Sequence, residues 1–236
     1  RSFLNGQSSQ QGNPFLLPSF SDNIEISHTF QRNLTTTLTL RRTTDAYAFL
    51  FDLDDATQQQ NITYRNIFDE SNISFMTSYQ FSFAKWWTGQ ALLFYSYSHA
   101  KKINPDDNIV LMNQAGLYGS MNNRLTLNKI IRGEVNCWYI TPYGANLYSF
   151  ERSYALDVAI SFQNLIKGMT LTIGAYDIFD SSPRTASSVI NGVRHDFIAR
   201  PSNRYLRVAL SYNFGNNKIN TRQRRFGNED VQNRSN

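Results

Sequence analysis

Cys137 is the only cysteine in the chain, so no intrachain disulfide framework is available and pairing cannot identify a redox compartment. Nowhere are there eighteen consecutive apolar residues, which excludes a helical membrane span. Charge is scarce as well. Charged residues make up 17%, against the quarter usual for soluble domains, while 41% are hydrophobic and 14% aromatic. Mean hydropathy is still −0.44, because Asn, Gln, Ser and Thr occupy the places charges usually hold. Glycine and proline, at 12 and 6, are too few for a collagen-like or low-complexity chain. The sequence begins Arg1-Ser2-Phe3, with neither an initiator Met nor a leader, and reads as a mature chain or a piece of a longer one.

A net charge of +5 raises the question of nucleic acid, but its distribution argues against it. From residue 216 onward Lys218, Arg222, Arg224, Arg225 and Arg234 outnumber Glu229 and Asp230, which places +3 of the +5 in a polar terminal stretch. The body is nearly neutral. Residues 216–236 therefore read as a solvated basic tail, and no nucleic-acid partner is expected.

What is abundant is period-two alternation. In 204–214 Leu206, Val208, Leu210, Tyr212 and Phe214 alternate with Arg207, Ala209, Ser211 and Asn213, giving one apolar and one polar face. Eight similar stretches precede it, at about 24–30, 34–52, 62–83, 90–100 and 109–125, a sixth ending at Pro142, then 147–163 and 169–176; the ninth spans about 197–214. Strand four is ambiguous, because Leu92 and Phe94 lie on the face opposite Leu93, Tyr95 and Tyr97. Residues 1–22 are polar, with Pro14 and Pro18 as breakers, and read as a loop. Connections near residues 32, 86, 130 and 166 are tight; those near 56, 105, 144 and 188 are mostly longer and more polar, the one near 144 fitting least well. Outer-membrane barrels alternate short periplasmic turns and longer extracellular loops in this way. The expected fold is all-β, an antiparallel up-and-down transmembrane β-barrel portion over 1–215, with 1–22 an extracellular lead-in and 216–236 a periplasmic tail.

Several motifs resemble a known family. Asp177-Ile178-Phe179-Asp180 after a strand, Asn13-Pro14 and Leu17-Pro18 before strand one, the final segment from Leu206 to Gly215 and the Arg-rich tail together resemble the C-terminal half of the barrel of TonB-dependent outer-membrane receptors of the Bacteroidetes type. Asp180 departs from the Asn more usual there. The resemblance covers nearly the whole chain. It implies a 22-strand barrel with an N-terminal plug in a Gram-negative outer membrane, importing a scarce ligand such as a metal chelate, glycan or peptide with energy supplied through TonB. Partners implied are outer-membrane lipid, the TonB complex through the N-terminal part, the imported ligand and a surface lipoprotein. No ligand-binding residues carry over. The alternatives are a smaller stand-alone barrel of structural, adhesive or enzymatic type and a soluble β-sandwich binding module.

No catalytic, metal or cofactor site is expected. His195 beside Asp196 could suggest a hydrolytic pair, as could His28 and His99 near Ser27, Ser96 and Ser98, but neighbours on a strand point to opposite faces. Three scattered His and one Cys have no metal-ligand spacing. Trp86 and Trp87 read as interfacial aromatics in a tight turn rather than a stacking platform. Asn33, Asn61, Asn72 and Asn233 match the glycosylation pattern only as an Asn- and Thr-rich chain does by chance. Two structural expectations follow. Leu206, Val208, Leu210 and Tyr212 face lipid, and strands one and nine do not pair with each other, since nine strands cannot close a single-chain bacterial barrel of even count.

Overall fold

The computed structural model describes residues 2–5, 8–54, 59–200 and 203–214. The basic stretch 216–236 and Gly215 lie outside the described residues. Within them are fifteen strands and no helix: β1 (Ser2–Asn5), β2 (Ser8–Gln11), β3 (Phe20–Phe30), β4 (Leu34–Asp54), β5 (Gln59–Ala84), β6 (Trp87–Lys102), β7 (Gly116–Thr126), β8 (Ile131–Ile140), β9 (Tyr143–Ala145), β10 (Tyr148–Phe150), β11 (Ser153–Gln163), β12 (Met169–Tyr176), β13 (Arg184–Ile190), β14 (Val193–Ala199) and β15 (Tyr205–Tyr212).

Nine of these, β3 to β8, β11, β12 and β15, form a continuous antiparallel meander in chain order. They are the nine strands the alternation predicts. Among the described residues β3 pairs only with β4 and β15 only with β12, so the sheet has two free edges and the expected absence of a ladder between them is what the structure has. At one end the meander turns at 31–33, 85–86, 127–130 and 164–168; at the other, the connections 103–115, 141–152 and 177–204 are long.

Register turns nine alternations into two surfaces. One hydrogen-bonded row runs Ile26, Leu38, Phe75, Tyr95 and Leu117, and another runs Val135, Val158, Ala175 and Leu206. Because strand partners share a face, every strand adds its apolar set to one side and a belt results. The opposite face carries the polar set, where hydroxyls meet across strands at Ser27–Thr37 (3.0 Å), Thr29–Thr35 (3.1 Å) and Ser161–Thr172 (2.9 Å). Exposed apolar side chains on this scale, Val208 at 70% and Leu206 at 81%, are not those of a water-facing sheet.

The long-loop end departs from the sequence reading in four places. Residues 1–22 are not all loop: β1 and β2 form a hairpin, and β2 runs parallel to β5 from Ser8↔Gln60 to Gln11↔Thr63. The reason is an exposed edge. β6 stops at Lys102 opposite Phe68, so the upper half of β5 needs another partner, and β2 supplies it. Asn13 continues the cover by donating to the Tyr64 carbonyl (2.8 Å), and the Leu17 N–H donates to Asn66 Oδ1 (2.8 Å). Second, the fifth strand begins at Gly116 rather than 109, and 103–115 is an irregular lace with one bridge, Ile109↔Ile190. Third, 143–150 is a hairpin, β9–β10, so strand seven starts at Ser153 and the connection near 144 joins the long class after all. Fourth, the stretch expected as a loop before strand nine contains the hairpin β13–β14, and strand nine starts at Tyr205. Its turn is Asn191-Gly192, with φ of 53° and 75°, the left-handed pair that a two-residue hairpin turn demands.

These pieces assemble into a cap. The four-stranded sheet β14-β13-β10-β9 packs on the upper β4–β5 hairpin, and between them lies the one fully dry cluster among the described residues: Leu50, Ile67, Phe68, Ile109, Leu147 and Ile190, with Ala46 and Ala100. Residues 108–112 stitch it together through Val110 N–H to the Val189 carbonyl (3.1 Å) and Met112 N–H to the Asn146 carbonyl (2.6 Å).

The motif at 177–180 has a physical role here. Asp177, left-handed at φ 43° and 2% exposed, accepts from the Ser181 and Ser182 N–H groups and the Ser182 hydroxyl, while its own N–H donates to Asp157 on β11. Asn203, leading into β15, donates to the Ser182 hydroxyl (2.9 Å). The turn thus ties β11, β12 and β15 at the long-loop end. Burial pushes the Asp177 carboxyl up, but the hydrogen bonds from Ser182 and Ser181 outweigh it and hold it below the ordinary carboxylate range. A depressed folded pKa stabilises fully above the unfolded value and loses that contribution as pH falls through the folded one. Thermal stability of the 177–182 turn should therefore decline on acidification below about pH 4 to 5, and Asp177→Asn should be less stable at neutral pH with a flatter acid limb. An unchanged acid limb in that variant would contradict the role given to Asp177.

Candidate functional site

The polar face is not uniformly polar. Towards the short-turn end, Gln80, Gln90, Asn122 and Asn136 stand directly opposite one another on β5, β6, β7 and β8, lining a recess of about 510 Å³ with Arg124 and Glu134 beside them. Towards the cap the same face turns aromatic. Phe94 lies opposite Tyr118, and Tyr118 opposite Ile140, with the Trp138 ring 6.3 Å from that of Tyr118. This patch accounts for Phe94 in the ambiguous strand four, while Leu92 lies on the same face one pair nearer the short-turn end, between Ser78 and Ser120.

The cap closes over the patch. Tyr143 on β9 and Phe150 on β10 are register partners whose rings stack at 4.6 Å and 9°, and with Tyr118, Trp138, Ile140, Glu151, Ser153, Arg184 and Thr185 they line a cleft of about 300 Å³. A second recess of about 230 Å³ lies on the other side of Tyr143, between Phe94, Ser96, Ser98 and β9. Burial raises the Tyr143 hydroxyl above its ordinary pKa, with the Arg184 guanidinium pulling the other way. Burial alone does the same to Tyr148.

Gly116 lets Tyr143 reach the wall. A Cβ built there would sit 2.7 Å from the Tyr143 Cβ, closer than real carbons approach. Gly116→Ala should cost about 1–3 kcal/mol, the usual scale of overpacking, and the loss should be local. Hydrogen exchange should accelerate at Tyr143–Ala145, with the β7–β8 ladder still protected; equal protection in both proteins would show that the contact yields freely.

A larger hollow, about 960 Å³, lies on the apolar face among Tyr79, Leu93, Met121, Tyr139, Leu156 and Phe179. Its walls offer almost no polar group to orient a solute, so it belongs to the apolar belt rather than to a recognition site.

The residues weighed for catalysis are dispersed. His195 stacks on Phe51 at 5.0 Å, and its neighbour Asp196 accepts from Arg194 (2.9 Å). Ser188, opposite His195, is fully buried. His28 and His99 lie on the apolar face, whereas Ser27 bonds Thr37, and Ser96 and Ser98 both accept from Asn72, on the polar one. Among the described residues no three His, Cys, Asp or Glu side chains gather as metal ligands do. Trp86 is in the turn as expected, but Trp87 begins β6, where it packs on Phe83 (5.1 Å) and donates through Nε1 to Asn123 (3.0 Å) at the short-turn end. The cleft residues went unsingled in the sequence, although Phe94 on the wrong face of its strand was a visible sign of them.

Comparison with known proteins fits this architecture. A family model described as the outer membrane protein beta-barrel family matches residues 1–212. No similarity to a curated protein sequence is found. Among solved structures, the chain is similar to the outer membrane transporter YddB from Escherichia coli, at 14% identity and a TM-score of 0.51, over 89% of this chain and 35% of that one. It is also similar to OmpT, an outer membrane protein of Vibrio cholerae folded in vitro, at 8% identity and a TM-score of 0.42, over 82% of this chain and 55% of that one. The chain thus spans about a third of the length of the transporter and about half that of OmpT. With nine membrane-type strands, an apolar belt and a family match across most of its length, this chain belongs to the outer membrane protein β-barrel family, and its place is the outer membrane.

Proposed function

We propose that these nine strands are the closing part of a larger, 22-strand barrel of a TonB-dependent receptor that imports a scarce solute. The observation that carries the reading is the pair of free edges at β3 and β15. Unpaired backbone groups in hydrocarbon cost several kcal/mol each, so these edges call for further strands between them. In this reading the tight turns are periplasmic, the cap is extracellular, and the polar face lines the lumen with the aromatic cleft at its mouth. The 22-strand count, the plug and the TonB coupling rest on the family resemblance; a surface lipoprotein over the cap is a further partner it suggests.

The test uses the protein in its own outer membrane. Cysteines replacing Ser27 on β3 and Ala209 on β15, in a Cys137→Ser background, should not cross-link to each other with short bifunctional reagents, and solute uptake should stop when TonB is deleted. Efficient β3–β15 cross-linking would make the chain a small closed barrel, and uptake indifferent to TonB would remove the energised mechanism.

A further inference from the structure

The cleft under the cap has two unlike walls. One is a set of rings, the parallel Tyr143–Phe150 stack facing Tyr118 and Trp138. The other carries one charge of each sign, Glu151 and Arg184, both exposed, and among the described residues neither is ion-paired. Their separation is a clue. Glu151 and Arg184 are held on adjoining segments, the Glu151 N–H donating to the Thr185 carbonyl (3.0 Å), yet the side chains do not close on each other.

From this arrangement we infer that the cleft binds a small zwitterion bearing a flat apolar ring, either a free aromatic amino acid or a short peptide ending in one. The inference rests on the reading of the polar face as a solute path. A volume of about 300 Å³ is at the small end of ligand sites and accommodates one ring with its backbone groups. The ring enters among Tyr118, Trp138, Tyr143 and Phe150, where offset stacking and edge contacts favour another aromatic. The ligand ammonium meets Glu151, and its carboxylate meets the planar fork of Arg184, which matches carboxylate geometry. A neutral sugar could lie on the same rings. It would, however, cover two ions while giving neither a counter-charge, and an uncompensated ion taken from water is costly.

The experiment is a titration of the full-length protein in detergent with the dipeptide Gly-Phe, its N-acetyl and C-amide derivatives, and maltose, read by calorimetry. Gly-Phe should bind, and each blocked form should bind about tenfold or more weakly, the scale of one lost charge-assisted hydrogen bond. Glu151→Gln should weaken Gly-Phe by a similar factor while leaving the N-acetyl form no weaker than before, and Arg184→Gln should do the same for the amide. Both positions are exposed, so these variants keep the fold; Tyr143→Ala, which can loosen the cap, should abolish binding. Tighter binding of maltose, equal binding of blocked and free dipeptide, or no binding of Gly-Phe would each overturn the inference. Titration in detergent is independent of TonB. Charge-dependent binding without TonB-dependent uptake would sink the transport reading and leave the site, and TonB-dependent uptake without such binding would do the reverse.

Discussion

Val208→Arg should destabilise the membrane-inserted protein by about 2–4 kcal/mol, the cost of a lipid-facing arginine near the bilayer midplane, and Ser211→Arg should be tolerated. The two positions differ in side, not in strand. Val208 is at the middle of β15, 70% exposed and opposite Ile173 of the apolar belt, whereas Ser211 is opposite Thr170 on the polar face. Reversible unfolding in liposomes, or the yield of folded protein in outer membranes, measures the difference. Equal effects at both positions would mean that the belt assigned from register does not meet lipid.

That prediction was already available from the alternation of 204–214, and the reason is that a membrane strand writes its environment into neighbouring residues. Met169 to Tyr176 alternates without interruption, and β12 has those bounds. Each strand pair then needs only a tight turn between them, so the meander follows from local information. The cap is different. β9 and β10 are three residues each, too short for any period to register, and β10 finds its second partner in β13, more than thirty residues away. What holds them is contact that the sequence does not announce: the space left by Gly116, the bridge of Ile109 to Ile190, and the dry cluster around Leu147. Some signals were nevertheless present. Asn191-Gly192 between two stretches of β-prone residues is a hairpin turn as much as a loop breaker, and Phe94 stands on the polar face of β6 opposite Tyr118, lining the recess beside Tyr143. The bulge at 43–46 is a further such signal. Asp45 takes a left-handed φ of 53° and its N–H donates to Asp69 (3.0 Å), which shifts the register of the upper hairpin and aims Leu50 and Ile67 into the cap. The alternation of 34–52 carries a trace of that shift: Leu34, Leu38 and Leu40 hold even positions, Tyr47, Phe49 and Phe51 odd ones, and the change of phase falls across the polar run 41–45.

The cap therefore has its own stability, distinct from that of the wall beneath it. Leu147 is 1% exposed within the dry cluster, so Leu147→Ala removes buried carbon and leaves a cavity, at a cost of about 2–5 kcal/mol. A loss that size is a large share of the stability of any small folded unit, but it should not reach the membrane strands, which are tied to one another by ladders that do not pass through Leu147. The expected result is sub-global opening. Amide exchange should accelerate at Tyr143–Ala145, Tyr148–Phe150, Arg184–Ile190 and Val193–Ala199 together, while Ser153–Gln163 and Met169–Tyr176 keep their protection. Because Tyr143 and Phe150 form one wall of the aromatic cleft, the recognition surface should go with the cap, although Leu147 does not line it. Exchange that accelerates equally along β11 and β12 would show that cap and wall unfold as one unit, and unchanged exchange at β13 would show that Leu147 does not hold the small sheet in place.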